Sequence, residues 1–199
     1  MTHLNWEGLS NRYSYAEFRQ LTNELLAKGQ TTGADQSPAM IHYTELNVTR
    51  MNRLDKRSRL TEETLADLHK IERPLVWITI TEAWCGDAAQ CVPVIEKLAI
   101  ATGGIQTHYI LRDEHPAIMD AYLTNGGRSI PKLICLDEKG AEVFTWGPRP
   151  AVIQEVMNRL KADGVTEIAT IVEAIQKAYN DDKQQGMYQE FVALLQELN

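Results

Sequence analysis

The hydrophobic and polar positions of this chain repeat with two different periods, and the change of period predicts where helices and strands occur. In the first seventy residues apolar side chains recur every three or four positions, which is the spacing of an amphipathic helix. This spacing is clearest over 15–28, and Ser14 is suited to cap a helix that begins there. A run rich in turn-forming residues follows at 29–38, and helical spacing returns at 45–54 and again from Thr61. The N-terminal third is therefore predicted to be helical.

From Pro74 onward the pattern becomes that of a sheet. The six residues LVWITI are apolar or β-branched, as in a strand that is buried on both faces. The predicted order from there is strand 75–80, helix 87–101, strand 106–111, helix 116–123, and two strands, 132–137 and 141–146, joined by a hairpin turn. Three further helices are predicted at 151–161, 165–179 and 187–198. The pattern therefore predicts an α/β protein whose sheet-forming middle is enclosed by helices at both ends.

Composition bounds the number of domains and the class of partner. With 199 residues and 44% hydrophobic content, the chain can bury one core with helical additions rather than two full domains. Its 27 acidic and 20 basic residues give a net charge of -7, which argues against nucleic-acid or membrane partners because both require clustered positive charge. The start MTHLNWEGLSNRYSYAEF lacks the basic and apolar regions of a secretory signal, and no apolar run approaches membrane-spanning length. We therefore expect a cytoplasmic protein.

The candidate chemistry lies in TEAWCGDAAQC, residues 81–91. Cys85 follows a predicted strand and begins a predicted helix, where unpaired backbone N–H groups and the helix dipole favour an anion. Asp87 and Glu82 oppose this effect because like charge raises the pKa of a thiol. We therefore expect a solvent-exposed thiol with a modestly lowered pKa. Three cysteines without a secretory signal indicate a reducing compartment and no structural disulfide.

Four segments of the chain match landmarks of a known protein family. Trp84-Cys85-Gly86 matches the active-site entry, and Pro93 matches the proline of the first core helix. The segment LRDEHPAIMDAYL at 111–123 is similar to the family's second βα unit, and GGRSIPKLICLD at 126–137 is similar to the segment that carries its cis-proline. In these four segments the chain resembles the thioredoxin family, and the resemblance implies a thioredoxin-like fold, in which a central mixed β-sheet is flanked by helices.

The resemblance also implies a division of the chain into three parts. The thioredoxin-like domain would span 65–163, after a helical N-terminal extension at 1–64 and before a helical C-terminal extension at 164–199. In the C-terminal extension Phe191, Leu194 and Leu195 recur at helical spacing. We expect this apolar face to pack on the protein's own core, and a homodimer formed through the same face is the alternative.

Two residues depart from the family's redox pattern. Ala88 stands where the second cysteine would be, and Thr79 stands where the buried acid that serves that cysteine would be. Their joint replacement indicates a site without a dithiol cycle. Cys91 is six helical residues from Cys85, an axial advance of about 9 Å, whereas bridged cysteines need Cα atoms within about 7 Å. Cys91 is thus a redox partner only if the helix unwinds, and is otherwise a buried hydrophobe; Cys135 is expected in the core.

A substrate groove beside Cys85 is a further implication of the resemblance. Pro131 would be cis and would hold Ile130 beside the sulfur, with the backbone of Ile130 open to an extended peptide, and Trp84 and Gly86 would complete the groove. In the expected monothiol mechanism, Cys85 attacks a protein or small-thiol disulfide and an external thiol reductant releases it, so no bound cofactor is needed. The five histidines lack metal-ligand spacing, and no metal is expected. The alternative is a redox-inactive binding or scaffold module in which Cys85 is a relic.

Overall fold

The computed structural model describes residues 3–198, which form five strands and eight helices. The strands are β1 (Arg12–Tyr13), β2 (Leu75–Thr81), β3 (Ile105–Leu111), β4 (Lys132–Asp137) and β5 (Glu142–Trp146). The helices are α1 (Tyr15–Ala27), α2 (Pro38–Arg57), α3 (Glu62–Leu68), α4 (Gly86–Thr102), α5 (Pro116–Ala121), α6 (Ala151–Ala162), α7 (Ile168–Asp182) and α8 (Gln185–Gln196). The predicted order from β2 to α8 is confirmed.

The five strands form one mixed sheet in the order β1-β3-β2-β4-β5. β2 lies at its centre, parallel to β3 and antiparallel to β4. All seven residues of β2 are buried, because helices cover both faces of the sheet, and this explains its unbroken apolar and β-branched sequence. β2 delivers the chain into α4 at the edge where Cys85 lies.

Two elements differ from the sequence-based prediction. Helix α2 begins at Pro38 rather than near residue 45, because Ser37 caps it by accepting from the Met40 N–H and Pro38 suits the first helical position. Strand β1 was not predicted. Its two residues pair antiparallel with β3, and a run this short carries no recognisable periodicity. The capping role expected of Ser14 is confirmed, since it forms a reciprocal capping box with Glu17.

The helices at the two ends of the chain pack on opposite faces of the sheet. On one face Phe191 of α8 is fully buried, with its ring centroid 5.2 Å from that of Trp77 and 5.0 Å from that of Trp146. On the other face Phe18 of α1 lies against Tyr109, in the cluster of buried residues that also contains Cys85. No helix within residues 3–198 is both long and apolar enough to cross a bilayer.

Candidate functional site

Cys85 occupies the N-cap of α4, at the junction with β2. Its sulfur accepts a hydrogen bond from the Ala88 N–H at 3.4 Å, and its carbonyl accepts from the Ala89 N–H at 3.0 Å. The thiol therefore uses one of the backbone donors that the first helical turn leaves unpaired. The position at a helix start that the sequence predicted for Cys85 is confirmed.

A cis-proline lies directly against this cysteine. The Ile130–Pro131 peptide bond is cis, as predicted. The Cys85 thiol donates to the Ile130 carbonyl oxygen at 3.3 Å. Both Ile130 and Pro131 are buried, so the backbone that was expected to receive an extended peptide is covered in this structure and its carbonyl is occupied by the thiol. The substrate-binding role of the two residues stays a prediction.

The sulfur of Cys85 is not presented to solvent, and this corrects the sequence-based expectation. Only 8% of the residue is exposed. Burial first, and the Asp87 carboxylate second, raise the pKa of the thiol from its ordinary value of 9.0 to about 12. The backbone N–H of Ala88 and the Arg149 guanidinium act in the opposite direction but do not reverse the shift. The expected modestly lowered pKa is therefore wrong.

Helix α7 covers the loop that carries Cys85. Its Gln176 accepts a hydrogen bond from Gln90 Nε2 of α4 at 2.7 Å and places its own Nε2 3.5 Å from the Gly86 carbonyl oxygen. A Cβ at Gly86 would lie 3.2 Å from Gln176 Nε2, so the glycine permits this close approach. The cover thus comes from a segment about ninety residues away in the sequence.

A partly buried polar network lies at the start of α4, beside Cys85. Arg149 holds Asp87 through two contacts, Nη2 to Oδ2 at 2.6 Å and Nε to Oδ1 at 2.9 Å. The Tyr179 hydroxyl donates to Asp87 Oδ1 at 3.0 Å and lies 3.5 Å from the Cys91 sulfur. Burial raises the pKa of Asp87, while Arg149 lowers it. Sequence reasoning missed Arg149 and Tyr179, since neither stands in a motif and only the folded chain brings them to Asp87.

The second thiol is separate from the first. Cys91 is fully buried inside the intact helix α4, and neither it nor Cys85 forms a disulfide. Burial raises the pKa of Cys91 well above 9.0. Ala88 and Thr79, at the positions of the missing cysteine and acid, are buried as well. A role for Cys91 as redox partner stays a prediction that would require α4 to unwind.

A cavity of about 250 Å³ opens between α2, the loop at Cys85 and α7. Apolar side chains form most of its wall: Met40, Tyr43, Met157, Ile168, Ile171, Val172 and Ile175. Trp84, Cys85 and Gly86 also line it, whereas Ile130 and Pro131 do not. The guanidinium carbon of Arg112 lies over the indole of Trp84, 4.7 Å from the ring centroid. The structure therefore brings Trp84, Cys85 and Gly86 to one cavity. Ile130 and Pro131 contact the site only from outside that cavity, where the Ile130 carbonyl accepts from the thiol.

Comparison with known proteins identifies the family. A family model described as thioredoxin matches residues 33–162, more than half of the chain. The chain belongs to the thioredoxin family. The thioredoxin-like α/β fold that the sequence predicted, a mixed sheet flanked by helices, is confirmed.

Solved structures similar to this thioredoxin-family protein support the same fold. The crystal structure of a protein of unknown function from Pseudomonas aeruginosa superposes with a TM-score of 0.59 at 15% identity, covering 94% of this chain and 99% of that chain. The crystal structure of an HIV epitope scaffold superposes with a TM-score of 0.50 at 16% identity, covering 84% of this chain and 96% of that chain. Identity this low supports the fold and nothing finer. No curated protein matches the chain.

Proposed function

We propose that this thioredoxin-family protein catalyses monothiol thiol–disulfide exchange through Cys85. The observation that carries the proposal is the position of the sulfur, at the N-cap of α4, 3.3 Å from the carbonyl before a cis-proline and on the wall of a cavity. A thiolate formed there would be stabilised by the Ala88 N–H, which already contacts the sulfur. Cys91 and Cys135, the other two thiols, are both fully buried, which favours a one-cysteine mechanism.

The proposed reaction is balanced without any bound cofactor. The Cys85 thiolate attacks one sulfur of a disulfide R–S–S–R′, forms the bond Cys85–S–S–R and expels R′–S⁻, which takes up a proton from water. An external thiol R″–SH, as its thiolate, then attacks the sulfur that carries R. This forms R–S–S–R″ and returns Cys85 to its thiolate. The substrate disulfide is reduced, the external thiol is oxidised, and the protein is unchanged.

The burial of the sulfur determines how such a reaction would proceed. In this structure the thiol is protonated and donates to the Ile130 carbonyl. Attack therefore requires the thiol to lose its proton and the substrate to reach the sulfur through the cavity. A larger substrate would require α7 to move aside, because α7 provides the cover above Gly86. The three free cysteines are consistent with a reducing, cytoplasmic setting that supplies the external thiol.

The test compares the wild type with Cys85→Ser and with the matched control Cys91→Ala. Reduction of a small mixed disulfide is followed with an excess of external thiol. We expect Cys85→Ser to lower the rate to that of the uncatalysed exchange, while Cys91→Ala retains most of the activity. Equal rates for the wild type and Cys85→Ser, with both proteins folded by circular dichroism, would refute the proposal.

A second candidate function, a redox-inactive binding module, is favoured by one specific observation. The thiol is 8% exposed and burial raises its pKa to about 12, which makes it a poor nucleophile at neutral pH. In that case the cavity would bind its ligand without covalent chemistry, and Cys85→Ser would retain ligand affinity while no variant changed the rate of disulfide reduction.

A further inference from the structure

The cavity beside Cys85 suits a small ligand with an apolar body. Its volume of about 250 Å³ lies just below the range of roughly 300–1,000 Å³ that holds drug-sized ligands. Side chains of α2, α6 and α7 close around it, and they are mainly aliphatic, aromatic or thioether groups. An extended peptide would not fit without displacement of α7, whereas a single ring or a short branched chain would.

The charge in the cavity wall is unevenly distributed. Asp87 and Arg149 both line the cavity, but each neutralises the other through the bidentate ion pair. Arg50 lines it as well, and within residues 3–198 its guanidinium forms no ion pair. Glu173, an acid in the adjoining concavity, forms no ion pair with Arg50. One positive charge in the wall therefore lacks an anionic partner.

Arg50 is held at a defined place close to the reactive loop. Its Nη1 donates to Asn47 Oδ1 at 2.7 Å, and Asn47, which is buried, donates to the Ala83 carbonyl at 2.8 Å. A Cβ at Gly86 would lie 4.0 Å from Arg50 Nη1. The guanidinium thus stands beside the residue that follows Cys85, with one nitrogen anchored and the others available.

The same helix surface extends this positive charge. Arg50, Arg53 and Arg57 recur at intervals of three and four residues on α2, which places them along one side of the helix. Burial and the neighbouring Arg53 lower the pKa of Arg50 because both destabilise its charged form. A bound anion would stabilise that charged form. Arg53 and Arg57 lie outside the cavity, and the row of three cations attracts anions to this side of α2 on a protein of net charge -7.

From this arrangement we infer a substrate class, resting on the exchange activity proposed above: a small disulfide with an apolar body and one carboxylate on the half that enters the cavity. The carboxylate pairs with Arg50, the apolar body contacts the α7 side chains, and one sulfur faces Cys85. Cys85 bonds to that sulfur, the other half leaves as a thiolate, and an external thiol then releases the bound half. Arg50 is thereby assigned as the specificity-determining residue.

Two chromogenic aromatic disulfides test this inference. Dithiobis-nitrobenzoate carries one carboxylate on each half, and dithiodipyridine is neutral. The rates of both are measured with the wild type, and the part that depends on Cys85 is obtained by subtracting the rate of Cys85→Ser. The measured quantity is the ratio of the anionic to the neutral rate, so a variant that merely exposes or buries the sulfur affects both rates and leaves the ratio unchanged.

We expect Arg50→Gln to lower this ratio by about tenfold, since it removes a charge-assisted hydrogen bond to the carboxylate. Arg50→Lys should preserve most of the ratio because it retains the charge. The matched control Lys56→Gln removes the same charge from an exposed position on α2 outside the cavity, and its ratio should stay within about twofold of the wild type, since exposed charges at a distance are screened. An Arg50→Gln ratio equal to that of Lys56→Gln would overturn the inference while leaving the exchange activity intact.

A binding measurement separates this result from failure of the proposed function. Nitrobenzoate, which cannot exchange, is titrated calorimetrically into Cys85→Ser and into Cys85→Ser combined with Arg50→Gln. We expect affinity for the first protein and a loss of about tenfold in the second. If neither disulfide reacts at Cys85 but this affinity difference is found, the exchange activity is refuted and Arg50 remains an anion site. Equal affinities would refute the anion site itself.

Discussion

The reactivity of Cys85 as a function of pH gives a direct measure of how far the fold shields the sulfur. The thiol is 8% exposed, and burial together with Asp87 raises its pKa from 9.0 to about 12. The thiolate fraction changes tenfold for each pH unit below the pKa, so at pH 7 folded Cys85 has about a thousandfold less thiolate than an ordinary thiol. A thiolate of higher pKa is more nucleophilic, with a Brønsted coefficient of about 0.4–0.5, which recovers about twentyfold. The expected net effect is an alkylation rate about fiftyfold below that of free cysteine.

The assay follows iodoacetamide labelling by mass spectrometry, with fragmentation between Cys85 and Cys91 to locate the label. The logarithm of the rate for folded Cys85 should rise by about one for each pH unit from 7 to 10 without levelling off, because its pKa lies above this window. The same cysteine in urea-unfolded protein should level off near pH 9 and serves as the internal reference. A folded-state midpoint at or below that of the unfolded chain would show that the sulfur is solvated, and the argument from burial would be wrong.

Three substitutions test other parts of the structure. Asp87→Asn should raise the alkylation rate of Cys85 at pH 8 by about threefold, because it removes the carboxylate that raises the thiol pKa while the thiolate becomes less nucleophilic; an unchanged rate would assign the whole shift to burial. Gly147→Ala should lower the free energy of unfolding by about 2–5 kcal/mol in urea titrations, because φ is +115° and the new Cβ would lie 2.3 Å from a backbone oxygen. The control Gly103→Ala, at φ +79° with no atom within 4 Å of the added Cβ, should lower it by only about 1 kcal/mol. Phe191→Ala should cost about 3–5 kcal/mol by the same measurement because the ring is fully buried between two indoles, and a change below 1 kcal/mol would mean that α8 contributes little to the core.

Helix α7 connects the C-terminal part of the chain to the site at Cys85. The matched family region ends at residue 162, with α6, whereas the contact to the loop at Gly86 comes from α7, beyond that region. Gln176 of α7 reaches the loop at Gly86, and Tyr179 of the same helix bonds Asp87. Helix α7 therefore contacts both the loop that carries Cys85 and the Asp87 carboxylate that raises the pKa of its thiol.

Much of the fold follows from interactions between near neighbours in the chain, and the sequence predicts these interactions. The seven buried residues of β2, the capping box at Ser14 and the helix that begins after Cys85 each depend on residues within about four positions. The cis bond before Pro131 was expected only through the family resemblance, and the structure contains it. Strand β1 escaped prediction because its pairing with β3, rather than its own two residues, makes it a strand.

The state of the candidate site is decided by contacts that join distant parts of the chain. The sequence by itself placed Cys85 at a helix N-terminus with no second thiol in reach, because both facts depend on local spacing. Only the tertiary structure decides that the sulfur is buried, that Arg149 neutralises Asp87, and that Arg50 is left without an acid beside Gly86. A pKa depends on solvent access and on charges within a few ångströms. For this thiol the burial and the Arg149 cation come from distant parts of the chain, whereas the Asp87 carboxylate is only two residues away.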